Sequence, residues 1–159
     1  MCIIIDKSVI GVFLSEKAEH RRNSDPIRNW LEKGGGQIVY GGRNAEELES
    51  SARMRKYIVE SGRRGRAKLI AKKSVDDDEA TVAGLPELQS DDPHVLALAR
   101  VSGARLLFAE DHDLEVDFRN TRIVHRPKGR VYKKFPEHKH LLKPCPRCPG
   151  KPVKHRKKR

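Results

Sequence analysis

The chain has 159 residues, of which 36% are hydrophobic and 35% charged, which suits one α/β domain with an appendage. No stretch approaches the ~18 consecutive apolar residues of a membrane span, and the apolar opening breaks at Asp6 and Lys7, which excludes a signal-peptide core. Three cysteines, one of them Cys2, make no disulfide framework and fit a reducing cytosol, so a cytoplasmic protein is expected.

Taken in chain order, Cys2-Ile3-Ile4-Ile5 reads as a short buried strand that ends at Asp6. Residues 8–22 carry Ile10, Phe13, Leu14 and Ala18 at helical spacing and close on the basic His20-Arg21-Arg22. Ser24-Asp25-Pro26 restarts a short helix through Trp30 and Leu31, which Gly34-Gly35-Gly36 ends. Residues 37–40 read as a strand, and Gly41-Gly42 turns it into a helix over 45–59. A strand over 66–71 precedes the run Asp76-Asp77-Asp78-Glu79, which opens a helix toward Leu88. An apolar helix over 95–101, Gly103 as its C-terminal turn and a strand over 104–109 lead into the acidic loop Asp111-His112-Asp113. Ile123-Val124-His125 reads as the last strand, and no repeats occur.

The segment SDDPHVLALARVSGARLLFAEDHDLEVDF, residues 90–118, carries the most information. Asp91-Asp92 stand just before its helix and Asp111 and Asp113 just after its strand, so the unit brings carboxylates together. Converging carboxylates repel and are tolerated when divalent cations or basic side chains neutralise them. Hard oxygen ligands suit Mg²⁺ or Mn²⁺, which keep waters and accept phosphate oxygens, so phosphodiester hydrolysis is the expected use. Asp6 and Asp111 would both lie outside the carboxyl ends of their strands, where open α/β sheets bind ligands, if those strands are parallel neighbours.

With IIIDKSV at the N-terminus, GGRNAEEL in the middle and DPHVLALA followed by GARLLFAEDHDL, the sequence resembles the PIN-domain nucleases, which include VapC-type toxin ribonucleases. The resemblance covers residues 1–125, arguably to 132, and implies a three-layer α/β/α fold with a central, mainly parallel sheet. It places the first family acid on Asp6, with Lys7 where a small hydroxyl residue is usual and Ser8 in register. The second falls on Glu47, with Glu46 as fallback. The third falls on Asp92 rather than Asp91. The fourth falls on Asp111, followed by Asp113, with Ala109 replacing the usual Thr or Ser. The resemblance therefore implies catalysis by Asp6, Glu47, Asp92 and Asp111 and metal ligation by Asp6, Asp92, Asp111 and Asp113. RNA as substrate, a cognate antitoxin and homodimerisation are implied in the same way.

Each acid also has a purely structural reading. Asp92 before Pro93 is a helix N-cap with proline at N1, worth about 1 kcal/mol. Asn44 and Glu47 have capping-box spacing, Asp6 can close an Asx turn, and residues 111–113 can be a solvated loop. Four acids at strand ends and helix starts, in the family's order, make catalysis the better reading.

The charge is uneven. Residues 126–159 hold 14 Lys or Arg against the single acid Glu137, or +13, while 20 bases and 21 acids leave residues 1–125 at −1. A basic, Pro-rich tail over 126–159 ending in Arg156-Lys157-Lys158-Arg159 is expected to be flexible and to bind polyanions by counterion release. It lacks the amphipathic face or lipidation motif that would hold it on a membrane. Arg53, Arg55, Lys56, Arg63, Arg64, Arg66, Lys68, Lys72 and Lys73 form a second basic set, read as a phosphate-tracking rim beside the acids or as a solvated face. Within that reading Ser8, Arg63, Arg64 and Arg66 are the nucleic-acid contacts of the body. Aromatics make up only 5% of the chain, too sparse for a base-stacking platform. His138, His140, Cys145 and Cys148 have the form H-x-H-x4-C-x2-C, which offers four zinc ligands, but the spacing fits no standard finger and a proline-flanked CxxC more often stays unmetallated.

The function expected from the sequence is therefore a Mg²⁺- or Mn²⁺-dependent endonuclease, acting on RNA, of toxin–antitoxin type. Its metals would activate water and neutralise charge on the scissile phosphate, with no protein nucleophile. The alternative is a PIN-like nucleic-acid-binding protein that has lost catalysis and works through its basic tail.

Overall fold

The computed structural model describes residues 2–144. Five strands form one all-parallel sheet in the order β3-β2-β1-β4-β5, with β1 Cys2–Ile5, β2 Gln37–Gly41, β3 Ala67–Ile70, β4 Leu106–Phe108 and β5 Arg130–Tyr132. Parallel strands need crossovers. These are α1 Ile10–Phe13 and α2 Ala18–Glu32, then α3 Gly42–Glu49 and α4 Ala52–Arg63, then α5 Lys72–Ala83 and α6 Pro93–Ser102, and last α7 His112–Arg119.

Strand alternation decides which side chains meet which helices. Ile3, Ile5, Ile38, Leu106 and Phe108 face one way and pack with Phe13, Ile27, Leu31, Leu48, Met54 and Ile58 from α1 to α4. Ile4, Val39 and Leu107 face the other way and pack with α5, α6 and α7 through Val75, Val82, Val95, Leu98, Leu114 and Phe118. Helices on both faces of the sheet are compatible with three α/β/α layers. Among the described residues no helix is long and apolar enough to cross a membrane.

Several elements differ from their sequence reading. The first helix ends at Phe13, and α2 runs on through Pro26 without a restart, because Ile27, Trp30 and Leu31 are buried along it. The helix expected over 45–59 is two helices, and Ser51 caps the second by accepting a hydrogen bond from the Met54 amide. The α5 helix begins at Lys72 rather than Asp76, with Lys72–Asp76 and Lys73–Asp77 pairs one turn apart holding its first turns. Residues 111–113 are not a loop, since Asp111 caps α7.

The last strand is not Ile123-Val124-His125. Ile123 and Val124 are buried in a turn whose amides donate to the Asn120 carbonyl, and the pairing with β4 is made by residues 130–132. A boundary at 125, or at 132, is therefore too early, and residues 126–144 of the basic tail are built into the fold. Tyr132 is fully buried and Leu141 nearly so, the Tyr132 hydroxyl donates to the Asn23 carbonyl, and Trp30 Nε1 donates to the Lys143 carbonyl.

Candidate functional site

Strand order reverses at β1. The chain steps from β1 to β2 and β3 on one side, then returns to place β4 on the other. The crevice outside the carboxyl ends at such a switch point is where open α/β sheets bind ligands. Asp6 stands there, its amide donating to the Phe108 carbonyl at 3.0 Å and so joining the ends of β1 and β4. Its carboxylate is wholly buried, and Oδ2 accepts from the Ser8 amide at 3.1 Å and the Ser8 hydroxyl at 2.5 Å. Ser8 Oγ in turn accepts from the Glu110 amide at 3.1 Å, a second tie across the switch point. The Asx turn is real, yet Asp6 Oδ1 is buried without a hydrogen-bond partner, which a purely structural Asp6 does not explain.

The second wall comes from the start of α3. Asn44 lies inside this helix rather than capping it, so the capping box with Glu47 does not form. Its Nδ2 donates instead to the Ile5 carbonyl at 3.0 Å, drawing α3 onto the end of β1. One turn on, Glu47 reaches His94 Nε2 at 3.0 Å and the Lys7 ammonium at 3.6 Å.

The third wall is the start of α6. Asp92 sits at the N-cap with Pro93 following, but its side chain makes no capping bond. The carboxylate, 5% exposed, faces Lys7 Nζ at 3.4 Å. Its approach loop is fixed by Asp117, whose fully buried carboxylate accepts from the Gln89 amide at 3.0 Å and the Ser90 amide at 2.7 Å.

Lys7 is thus the cation of the acidic crevice. Asp92 above all, with Glu47 and Asp6, holds its ammonium above the ordinary 10.5, against an opposing effect of burial that ranks second only to Asp92. Among the described residues, Glu47, Asp92 and His94 are the group whose metal-ligating atoms all lie within 4.8 Å of one another. Two carboxylates and an imidazole fit a divalent cation.

The structure therefore groups the predicted Glu47 and Asp92 tightly with His94 and leaves Asp6, Asp111 and Asp113 outside that group, Asp6 acting on the same Lys7 ammonium. Asp111 Oδ1 accepts from the Leu114 amide at 3.1 Å, and Asp113 is exposed in the first turn of α7. The fallback Glu46 is exposed and faces Lys72 at 3.7 Å. Ala109 is buried and offers no hydroxyl; Ser8 supplies one at the switch point instead.

The basic rim needs correction. Arg66 immediately precedes β3, and its carbonyl pairs with the Ile38 amide near the start of β2. Arg63, Arg64 and Arg66 therefore lie at the amino-terminal edge of the sheet, opposite the acids, because parallel strands point all their carboxyl ends one way. Lys72 and Lys73 follow β3 on the acidic side but are paired with Asp76 and Asp77. Arg53 and Arg55 donate to the Leu14 and Glu49 carbonyls. Of the candidate zinc ligands, His138 Nδ1 accepts from the Lys133 and Lys134 amides and His140 is exposed. Cys145, Cys148 and Arg156 to Arg159 lie outside the described residues.

Sequence reasoning passed over His94 and Asp117 and read Asn44 only as a helix cap. His94 was filler in DPHVLALA, although its place two residues after an acid at a helix start was a usable signal. Asn44 and Asp117 act through contacts 39 and 27–28 residues away, which no local pattern reveals.

Compared with known families, curated proteins and solved structures, the chain matches none of them.

Proposed function

We propose that this protein is a divalent-metal-dependent endonuclease of PIN-like type acting on RNA. The observation that carries the reading is the convergence of Glu47, Asp92 and His94 at the end of a parallel sheet whose switch point carries the buried, half-satisfied Asp6. A bound divalent cation supplies charge neutralisation at a scissile phosphate and a water of lowered pKa. Asp92 and Glu47 would hold it, and Asp6 would orient it from the floor of the crevice. Ser8, exposed and tied to both Asp6 and the Glu110 amide, holds the two strand ends in one geometry. The RNA preference and a toxin-type role with an antitoxin partner rest on the sequence resemblance, and the basic residues beyond 126 supply phosphate affinity.

One observation favours a second reading, a PIN-like nucleic-acid-binding protein without catalysis. The Lys7 ammonium already neutralises Glu47 and Asp92. Cleavage of labelled single-stranded and structured RNAs in Mn²⁺, Mg²⁺ or EDTA, by wild type and by the Asp6→Asn/Asp92→Asn double variant, separates the two. Metal-dependent cutting absent from the variant supports the nuclease; salt-sensitive binding with no cutting by either protein supports the binding module.

A further inference from the structure

The centre is not a purely oxygen site. His94, on the first turn of α6, is 1% exposed, and its Nε2 meets Glu47 Oε2 at 3.0 Å while Nδ1 is buried without a partner. A histidine kept only for packing would have both ring nitrogens satisfied at this depth. If Nε2 carries the proton, it donates to Glu47, and the Nδ1 lone pair is left over. If Nδ1 carries it, the Nε2 lone pair faces a carboxylate oxygen, a repulsive contact that a cation between them would relieve. The Nδ1-protonated form is the one that turns an imidazole lone pair toward Glu47 Oε2, where a cation can share both. The same crevice already attracts one, since Lys7 Nζ sits 3.4 Å from Asp92 and 3.6 Å from Glu47.

We propose that Glu47, Asp92 and His94 form a mixed nitrogen–oxygen site for a divalent transition-metal ion, Mn²⁺ among them, taken in preference to Mg²⁺, with the Lys7 ammonium as the cation it displaces. This rests on reading the crevice as a divalent-cation centre. Imidazole nitrogen binds transition-metal ions readily, whereas Mg²⁺ demands near-ideal octahedral oxygen geometry and gives up its waters reluctantly. Displacement is feasible because Lys7 is half exposed on a flexible stem and can swing into solvent. Asn44 and Asp117 keep α3 and the α6 approach loop in place while it does so.

The test is Mn²⁺ binding to the full chain, read by electron paramagnetic resonance with electron spin-echo modulation for directly bound ¹⁴N. The expected result is a bound ion with histidine nitrogen coupling, displaced by Mg²⁺ only at tenfold or greater excess over Mn²⁺. His94→Gln should abolish the coupling, and His140→Gln, at an exposed position, should keep it. Because His94 is buried, a thermal melt without metal establishes that its variant has folded. If it has not, Glu47→Gln decides, and it should weaken Mn²⁺ at least tenfold. Bound Mn²⁺ without nitrogen coupling, equal competition by Mg²⁺, no Mn²⁺ binding, or an unaffected Glu47→Gln variant each overturns the proposal. RNA cleavage is a separate readout. Cutting without nitrogen coupling sinks this inference alone, whereas nitrogen-coupled Mn²⁺ without cutting sinks only the nuclease reading.

Discussion

Replacing Lys7 with Met keeps the length of the side chain and removes its charge, leaving Asp92 and Glu47 side by side without their cation. Unit charges about 4 Å apart interact by about 1 kcal/mol in water and about 4 kcal/mol at an effective dielectric near 20. Lys7 is 51% exposed, so each pair, at 3.4 and 3.6 Å, belongs near the lower figure. Asp92 is only 5% exposed and loses its cation altogether, which adds to the two pair terms. The expected cost in metal-free buffer is about 2–3 kcal/mol, measured by denaturant unfolding at pH 7. The acids hold the lysine above its ordinary 10.5, so its contribution is present in full below pH 10.5 and is lost as pH rises beyond that value. The gap between wild type and variant should be level from about pH 7 to 9.5 and narrow above it. Mn²⁺ should reverse the loss, because the ion takes over the charge that Lys7 supplied and stabilises the variant more than the wild type by mass action. Wild-type stability in the variant, within about 0.5 kcal/mol, or equal stabilisation of both proteins by Mn²⁺, would refute this account of Lys7.

Asp117→Ala strands the Gln89 and Ser90 amides next to a buried void, and should cost about 2–4 kcal/mol while speeding hydrogen exchange at those two amides; a loss under about 1 kcal/mol with unchanged exchange would contradict the role given to it. Gly129→Ala would put a Cβ 2.2 Å from the Phe118 carbonyl oxygen at the entry to β5. It should destabilise far more than Gly103→Ala, where φ is 77° but nothing lies within 4 Å and the cost is about 1 kcal/mol; equal melting temperatures would show that β5 is not integral to the fold. Burial, helped by Glu32, pushes the Tyr57 hydroxyl up to about 12 from 10.0. Its contribution is therefore whole below pH 10 and lost as pH rises toward 12, and Tyr57→Phe should soften alkaline destabilisation while Tyr40 and Tyr132, also raised, keep the rest. Parallel stability–pH curves for the two proteins, or a Tyr57 that ionises at its ordinary value in a 295 nm titration, would contradict this.

The α/β class and most elements were legible because buried strands and amphipathic helices write their periods locally. Cys2 to Ile5 and the pair 95–101 and 104–109 could be read for that reason. β5 was missed because Arg130-Val131-Tyr132 is short, basic at one end and set among charges, while the more apolar Ile123-Val124 is buried without pairing. The site was legible as far as element ends go. Asp6 follows β1, Asp92 opens α6 and Glu47 sits in the short α3 that follows β2, so all three lie at one end of the sheet. Which of them meet was not legible, since the tightness of the Glu47–Asp92–His94 group depends on Asn44 gripping Ile5 and Asp117 gripping residues 89–90. Lys7 stood in the sequence as an irregularity of the IIIDKSV motif; in three dimensions it is the counter-charge of the crevice. The arginine turn at 63–66 misled because sequence proximity to Lys72 hides that β3 carries the chain from one end of the sheet to the other.

The central claim, that the crevice at the switch point cuts RNA with a metal held by Glu47 and Asp92, is most directly tested by measuring binding and cleavage of one RNA in Mn²⁺ with wild type, Glu47→Gln and Asp92→Asn. The account predicts that wild type cuts, that both variants lose at least a hundredfold in rate, and that all three bind the RNA with the same salt-dependent affinity. Cutting by the variants at the wild-type rate, or binding by wild type with no cutting in any divalent ion, would contradict it.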